Sequence, residues 1–287
     1  NRMRRGLARP EIFSVGIELT MTESMAYCDI VLPAATHFEY DDLYAAYGHH
    51  WLQRAQAVIA PIGEALPNTE IFRRLAARFG FDEPCFKASD AELMDDAVDG
   101  NDRRLSGMRP SQIPTAKALR MTGADGAPMV LFDNVMPATP TGKISLAAQS
   151  LTKRWGAGAL LADFRPRNDS HPLMLISPAS DKRISSTLGD LAASRAAPPL
   201  KMNPADAARR NLTSAREVRV WNDLGEVILP LEVTDDVPPG VVSSEKGAWI
   251  AASRTGQTIS ALVSADQRAD LAEGACFNDT AVEVGPA

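Results

Sequence analysis

The stretch EIFSVGIELTMTESMAYCDIVLP, residues 11–33, decides the fold class. Residues 11–17, EIFSVGI, read as a short strand. TMTESMAY, residues 20–27, reads as a short helix, with Thr20 or Thr22 available as its N-cap. Asp29 to Leu32 form a second strand, closed by Pro33. Strand, helix and strand in so short a span make a βαβ unit, whose two strands lie parallel. The second strand ends abruptly, and Thr36, His37 and Glu39 follow. Either this is an ordinary strand exit or it faces a ligand, because ligands in open α/β sheets sit outside the carboxyl ends of strands.

Working outward, APIGEALPN (residues 60–68) is a loop leading into NTEIFRRLAARFG. There Asn68 is the expected cap, Ile71, Phe72, Leu75, Ala76 and Phe79 form one apolar stripe, and Gly80 stops the helix. SDAELMDDAV is a second helix, with Ser89 and Glu92 in capping-box spacing. TPTGKISL, residues 139–146, reads as a turn and a short strand. RPRNDSHP, residues 165–172, has linker composition, so the expected domains are 1–165 and 166–287.

Beyond it the texture changes. LMLIS, EVRVWND, EVILPLEV, GVVSSE and TAVEV are short strands, and Asn222-Asp223-Leu224-Gly225 is a tight turn. One helix interrupts them, capped by Asn203 with Pro204 in its first position. Such a series predicts a small β-barrel.

Bulk properties narrow the function. The 287 residues suffice for two domains, and 45% hydrophobic with 23% charged residues is globular composition. The net charge of -6 and the lack of a basic run argue against nucleic acid as a partner. A compact anion such as a pyrophosphate needs only backbone N–H groups and one or two cations. Cys28, Cys85 and Cys276 lie far apart with no CxxC, so this chain alone offers no structural zinc site and no cysteine-held iron–sulfur cluster. Unpatterned thiols point to a reducing, cytoplasmic setting, with a periplasmic one left open. No apolar window reaches the length of a membrane span. No Ser/His/Asp or Cys/His spacing supports hydrolysis, and GKIS lacks the first glycine of a P-loop. The chain begins at Asn1, and NRMRRGLARPEIFSV reads like the middle of a domain, so the expectation is the C-terminal part of a longer protein.

Four segments in order carry a resemblance. MTESMAYCDIVLPAATHFE, TPTGKISL, NPADAARRNLTSAREVRVWNDLGEV and ADLAEGACFNDTAVEV resemble the C-terminal half of the molybdopterin oxidoreductases, the dimethyl sulfoxide reductase superfamily. The resemblance implies a parallel-sheet α/β domain followed by a double-psi-type β-barrel. It implies that the two help clamp two molybdopterin guanine dinucleotides holding molybdenum or tungsten. The metal ligand and any iron–sulfur cluster would belong to the N-terminal half. The partners implied are that half, a small-molecule redox substrate and an electron-transfer protein. A stand-alone cofactor-binding module is the alternative.

The resemblance also implies site residues. The loop SPASDKRISS follows the strand LMLI, where relatives wrap the pterin and pyrophosphate. Ser177, Pro178, Ser180, Lys182, Arg183, Ser185 and Ser186 are therefore expected to bind cofactor, with hydroxyls, backbone N–H groups and cations as donors. Read without the family, the same loop is a solvated one with a basic pair. Glu18 is either a dinucleotide ligand or a surface glutamate. Ser260 stands at the asparagine position of the family's NaLt motif, and Asn278 at a polar position near the pterin. His49 and His50, read as neighbours in a strand, would face opposite ways and could not readily share one ion.

Overall fold

A computed structural model describes the chain except residues 1, 46, 99–101, 124, 148, 162–169, 188 and 269–273. The expected boundary at 165/166 and part of the terminal motif lie outside the described residues. The chain forms two compact units, one of Asn1–Ile12 with Ala147–Ala287, the other of Phe13–Leu146. Helix α1 (Arg2–Leu7) belongs to the first. Arg2 pairs with Asp266 at 2.7 Å, and Arg4 donates to the Gly256 carbonyl at 2.9 Å.

In the 13–146 unit, β1 (Val15–Glu18) and β2 (Ile30–Pro33) pair in parallel, from Val15 opposite Ile30 to Glu18 opposite Pro33. The parallel pair is as the sequence predicts. Its crossover is not, because the expected helix is only a 3-10 turn at Met25–Tyr27. Thr22 explains this. Its N–H bonds the Thr20 carbonyl and its hydroxyl accepts from Met25 N–H, local bonds that compete with a helix. The first strand also starts later than residue 11. Ser14 N–H is taken by the Asp29 carboxylate at 2.7 Å, outside the ladder. The turn packs so closely on β1 that a Cβ at Gly16 would lie 2.2 Å from Met25 Sδ.

A second sheet, not read from the polar sequence, joins β3 (Asp42–Ala45), β4 (Trp51–Ala55) and β5 (Leu119–Arg120). His49 and His50 lie in the turn between β3 and β4 rather than in a strand, and His49 Nδ1 accepts from Trp51 N–H at 3.2 Å. Leu52, Leu105 and Ile113 form the local core.

Helix α2 (Asn68–Phe79) ends as expected at Gly80, which adopts φ 75°. Its start differs, with Pro67 at the cap position and Asn68 already helical. Only Ile71 and Ala76 of the apolar stripe are buried, while Phe72 and Phe79 are exposed. The helix is held at its flank instead, by Arg73 reaching the Ala88 carbonyl and Asp90. Helix α3 (Asp90–Asp96) carries the full Ser89/Glu92 capping box. TPTGKISL makes its turn, with Gly142 at φ 64°, but no strand forms and Ile144 and Leu146 stay exposed.

The other unit continues with α4 (Gln149–Trp155) and a closed six-stranded barrel. Its strands are β6 (Leu173–Ile176), β7 (Leu200–Met202), β8 (Glu217–Asn222), β9 (Gly225–Val233), β10 (Val241–Ser243) and β11 (Thr280–Pro286). Their order is β10-β6-β11-β8-β9-β7, with β6–β10 and β7–β9 parallel and the other pairs antiparallel. Alternation sets the faces. Leu173 and Leu175, Val218 and Val220, Val227 and Leu229, and Val282 and Val284 all enter one core. Strand β7 escaped the sequence reading because LKM is too short to show a period.

Three polar residues brace the barrel. Helix α5 (Pro204–Arg209) follows the Asn203 cap, whose Oδ1 accepts from Ala205 N–H while its amide donates to the Val237 carbonyl. Asp206 is buried and accepts from Gly240 N–H at 2.7 Å and from Arg209. The DA of the NPADA motif therefore pins a helix to the start of a strand. Asn222 closes the β8–β9 turn through Leu224 N–H and donates to the Leu262 and Ala281 carbonyls.

Candidate cofactor site at the end of the barrel

Strands β6 and β10 run parallel, so their carboxyl ends open at the same end of the barrel. Ser177 follows β6, and Ser244 follows β10, with Ser244 N–H donating to the Ile176 carbonyl at 3.1 Å. Lys246 N–H donates to the Pro178 carbonyl at 3.0 Å, extending the pairing past both strands. Ser177 N–H in turn donates to Asn278 Oδ1 at 3.0 Å. Ser177, Pro178 and Asn278, three residues singled out from sequence, thus meet in one place.

The polar atoms left over here matter most. Among the described residues, buried side-chain atoms without a partner are Ser177 Oγ, Ser244 Oγ, Arg183 Nε and Gln257 Oε1. Ser244 and its chain neighbour Glu245 connect them. Ser177 and Ser244 flank the joined strand ends, Arg183 lies 3.9 Å from Glu245, and Ser244, Glu245 and Gln257 line one crevice. A buried polar group without a partner costs on the order of 1–3 kcal/mol, so such a cluster calls for an explanation. The two serine hydroxyls and the Gln257 oxygen can receive an oxygen- and nitrogen-rich ligand.

The loop between β6 and β7 is folded around Arg183. That side chain is only 3% exposed, and its guanidinium donates to the Ser194 carbonyl. Lys182, Ser185 and Ser186 are exposed, and Ser180 is half-buried with its hydroxyl accepting from Lys182 N–H. Ser185 adopts φ 55°, an uncommon left-handed conformation for serine. Trp249 Nε1 donates to the Ser186 carbonyl at 2.7 Å.

The two remaining candidates stand apart from this cluster. Ser260 is exposed on the 3-10 turn Ile259–Leu262, its hydroxyl 2.9 Å from that of Thr258, a lining residue of the crevice. Glu18 lies in the other unit at the end of β1, half-buried, and its carboxylate accepts from Leu19 N–H.

Ser244, Glu245, Trp249 and Gln257 were not picked out from the sequence. For Ser244 a signal existed, since GVVSSE ends in polar residues as LMLIS does. Nothing local marked Gln257 or Trp249.

At the strand end that opened the sequence reading, Glu39 is buried and accepts from Thr36 N–H at 2.6 Å and Ile62 N–H at 2.8 Å. Those bonds to the charged form hold its carboxyl below the ordinary glutamate range, against the opposing effect of burial. Glu39 ties a loop. His37 is exposed and stacks obliquely on Phe38.

The chain is similar to known proteins along most of its length. Residues 173–281 match the family described as "Molydopterin dinucleotide binding domain", and residues 1–78 match "Molybdopterin oxidoreductase". The chain is 34% identical over 290 residues to "Probable oxidoreductase YoaE" of Bacillus subtilis, covering 99% of this chain and 41% of that protein. It is 28% identical to the trimethylamine-N-oxide reductase of Pasteurella multocida, covering 87% of this chain and 34% of the relative. It therefore spans less than half the length of these relatives. Among solved structures, acetylene hydratase from Pelobacter acetylenicus shares the fold, with a TM-score of 0.73 and 19% identity over 96% of this chain and 40% of its own.

Proposed function

Because the chain belongs to the molybdopterin oxidoreductases, we propose that it forms the C-terminal, cofactor-clamping part of a bis-molybdopterin-guanine-dinucleotide enzyme. In this reading residues 166–287 are the dinucleotide-binding domain and their barrel is of the double-psi type. Glu18, in the α/β portion, is a further candidate ligand of the dinucleotide.

The observation that carries the proposal is the pair of unpartnered buried hydroxyls, Ser177 and Ser244, at the joined ends of β6 and β10. These residues fit the cofactor. Ser177 and Ser244 hydroxyls supply short-range donors to pterin or phosphate oxygens, and Gln257 Oε1 supplies an acceptor for a ring or amino N–H. Lys182, Ser185 and Ser186 offer exposed donors and a charge for the phosphates. Asn278 fixes the base of the loop through Ser177 N–H, and Ser180 and Ser260 are further hydroxyl candidates. Molybdenum or tungsten held by the bound cofactor supplies two-electron redox chemistry, usually with oxygen-atom or hydrogen transfer. The role of this chain's residues is to bind, orient and exclude water. Small redox substrates, an electron-transfer protein and the N-terminal half, with any iron–sulfur cluster, complete the proposal.

The test is cofactor content. The whole protein that carries this chain is purified from cells that make the cofactor. It is denatured and oxidised, then assayed for pterin fluorescence, released guanosine nucleotide and metal. Pterin and nucleotide in equal amounts, with molybdenum or tungsten, support the reading. Absence of pterin overturns it. Redox turnover by the 287 residues alone overturns the division of labour between the two halves.

A further inference from the structure

We infer that Arg183 is a positioning residue, an internal strut that holds the β6–β7 loop in its ligand-receiving shape, and not itself the phosphate ligand. This rests on the loop being the cofactor-binding segment proposed above. The described residues between 177 and 199 have no regular secondary structure, and so long an irregular loop needs specific fastenings to hold one shape. Arg183 supplies a central one. Its side chain is 3% exposed, and its guanidinium donates to the carbonyl of Ser194, 11 residues on. A second nitrogen lies 3.9 Å from the Glu245 carboxylate, just past β10. One planar fork therefore clips the loop across its own width and also to the neighbouring strand end.

The rest of the loop is fitted to that clip. Gly247, at φ 94°, lies so near the Ser185 carbonyl that a Cβ would come within 1.6 Å of it. Gly189 is pressed on the Trp249 ring, where a Cβ would lie 2.2 Å from Nε1. Trp249 Nε1 bonds the Ser186 carbonyl. Arg195 donates to the Asp190 carbonyl at 2.7 Å. With Arg183 turned inward, Lys182, Ile184, Ser185 and Ser186 are exposed. A cation so buried reaches a ligand through the loop it shapes. The exposed charge beside it is Lys182.

The test uses the full chain with Arg183→Lys, Arg183→Met and Glu245→Gln. The first readout is amide hydrogen exchange in residues 183–196, and the second is thermal unfolding of the barrel. The third is retention of pterin by the whole protein on dilution. A strut requires the fork, so lysine does not rescue it. All three variants should speed loop exchange by roughly tenfold or more, leave barrel unfolding close to wild type, and lose pterin faster in proportion. Unchanged loop exchange in Arg183→Met overturns the inference. So does an Arg183→Lys protein that loosens the loop yet retains pterin, since that marks an electrostatic ligand. If the protein never holds pterin, the functional reading falls while loop exchange still decides the role of Arg183.

Discussion

Two buried carboxylates show how single residues hold each unit together. Glu39 accepts two backbone N–H groups, and its folded pKa is lowered from the ordinary value of 4.5. A lowered carboxylate contributes stability that is fully present above the ordinary value and is lost as pH falls through the folded one. The 13–146 unit should therefore lose urea resistance from about pH 5 downward, and Glu39→Gln should flatten that limb while weakening the unit at pH 7. Circular dichroism of urea titrations across pH 3–7 measures both. Asp206 is a different case, because it is buried beside Arg209 and accepts from Gly240 N–H. Asp206→Ala leaves that N–H and the cationic side chain without their acceptor, at a cost of about 3 kcal/mol in barrel stability. A fall in the barrel's urea midpoint with unchanged slope is the expected result.

Elements differ in how far they can be read from sequence. Those defined by a local rule were legible. The box of Ser89 and Glu92, the stop at Gly80, the Asn203-Pro204 start and the Asn222 turn all form as read. Ser89→Ala should cost about 1 kcal/mol in the 13–146 unit, as caps do. Asn203→Ala should cost more, about 2 kcal/mol, because it also orphans the Val237 carbonyl. Differential urea melts of these two variants check the ranking. Elements that depend on distant partners were not legible. β3, β4 and β7 are strands because of what they pair with, and α2 buries only Ile71 and Ala76 of its stripe, leaving Phe72 and Phe79 exposed. The site divides in the same way. Ser177 and its loop were marked by the family resemblance of the segment after LMLI, whereas no local signal marked Gln257.

At the scale of the molecule, the two units have cores of different size. The barrel buries a continuous set of side chains from six strands, while the local core around Leu52, Leu105 and Ile113 is small. Buried apolar area sets stability, so urea should unfold the 13–146 unit first. Trp51 lies in that unit, and Trp155, Trp221 and Trp249 lie in the other. A Trp51→Phe chain should lose the low-urea fluorescence transition and keep the high-urea one. A single transition in both proteins would refute this ordering.

The bond between Ser177 and Asn278 joins residues 101 apart, and β11 fills the gap between β6 and β8. The barrel has no local route to closure, so its folding time is set by a search over a long intervening chain. During synthesis, β6 leaves the ribosome with both edges unpaired and must wait for β10 on one side and β11 on the other. Until β11 arrives, the loop after β6 lacks the Asn278 contact at its base. In the cell, that interval is a window in which an open strand edge invites aggregation and a chaperone has something to hold.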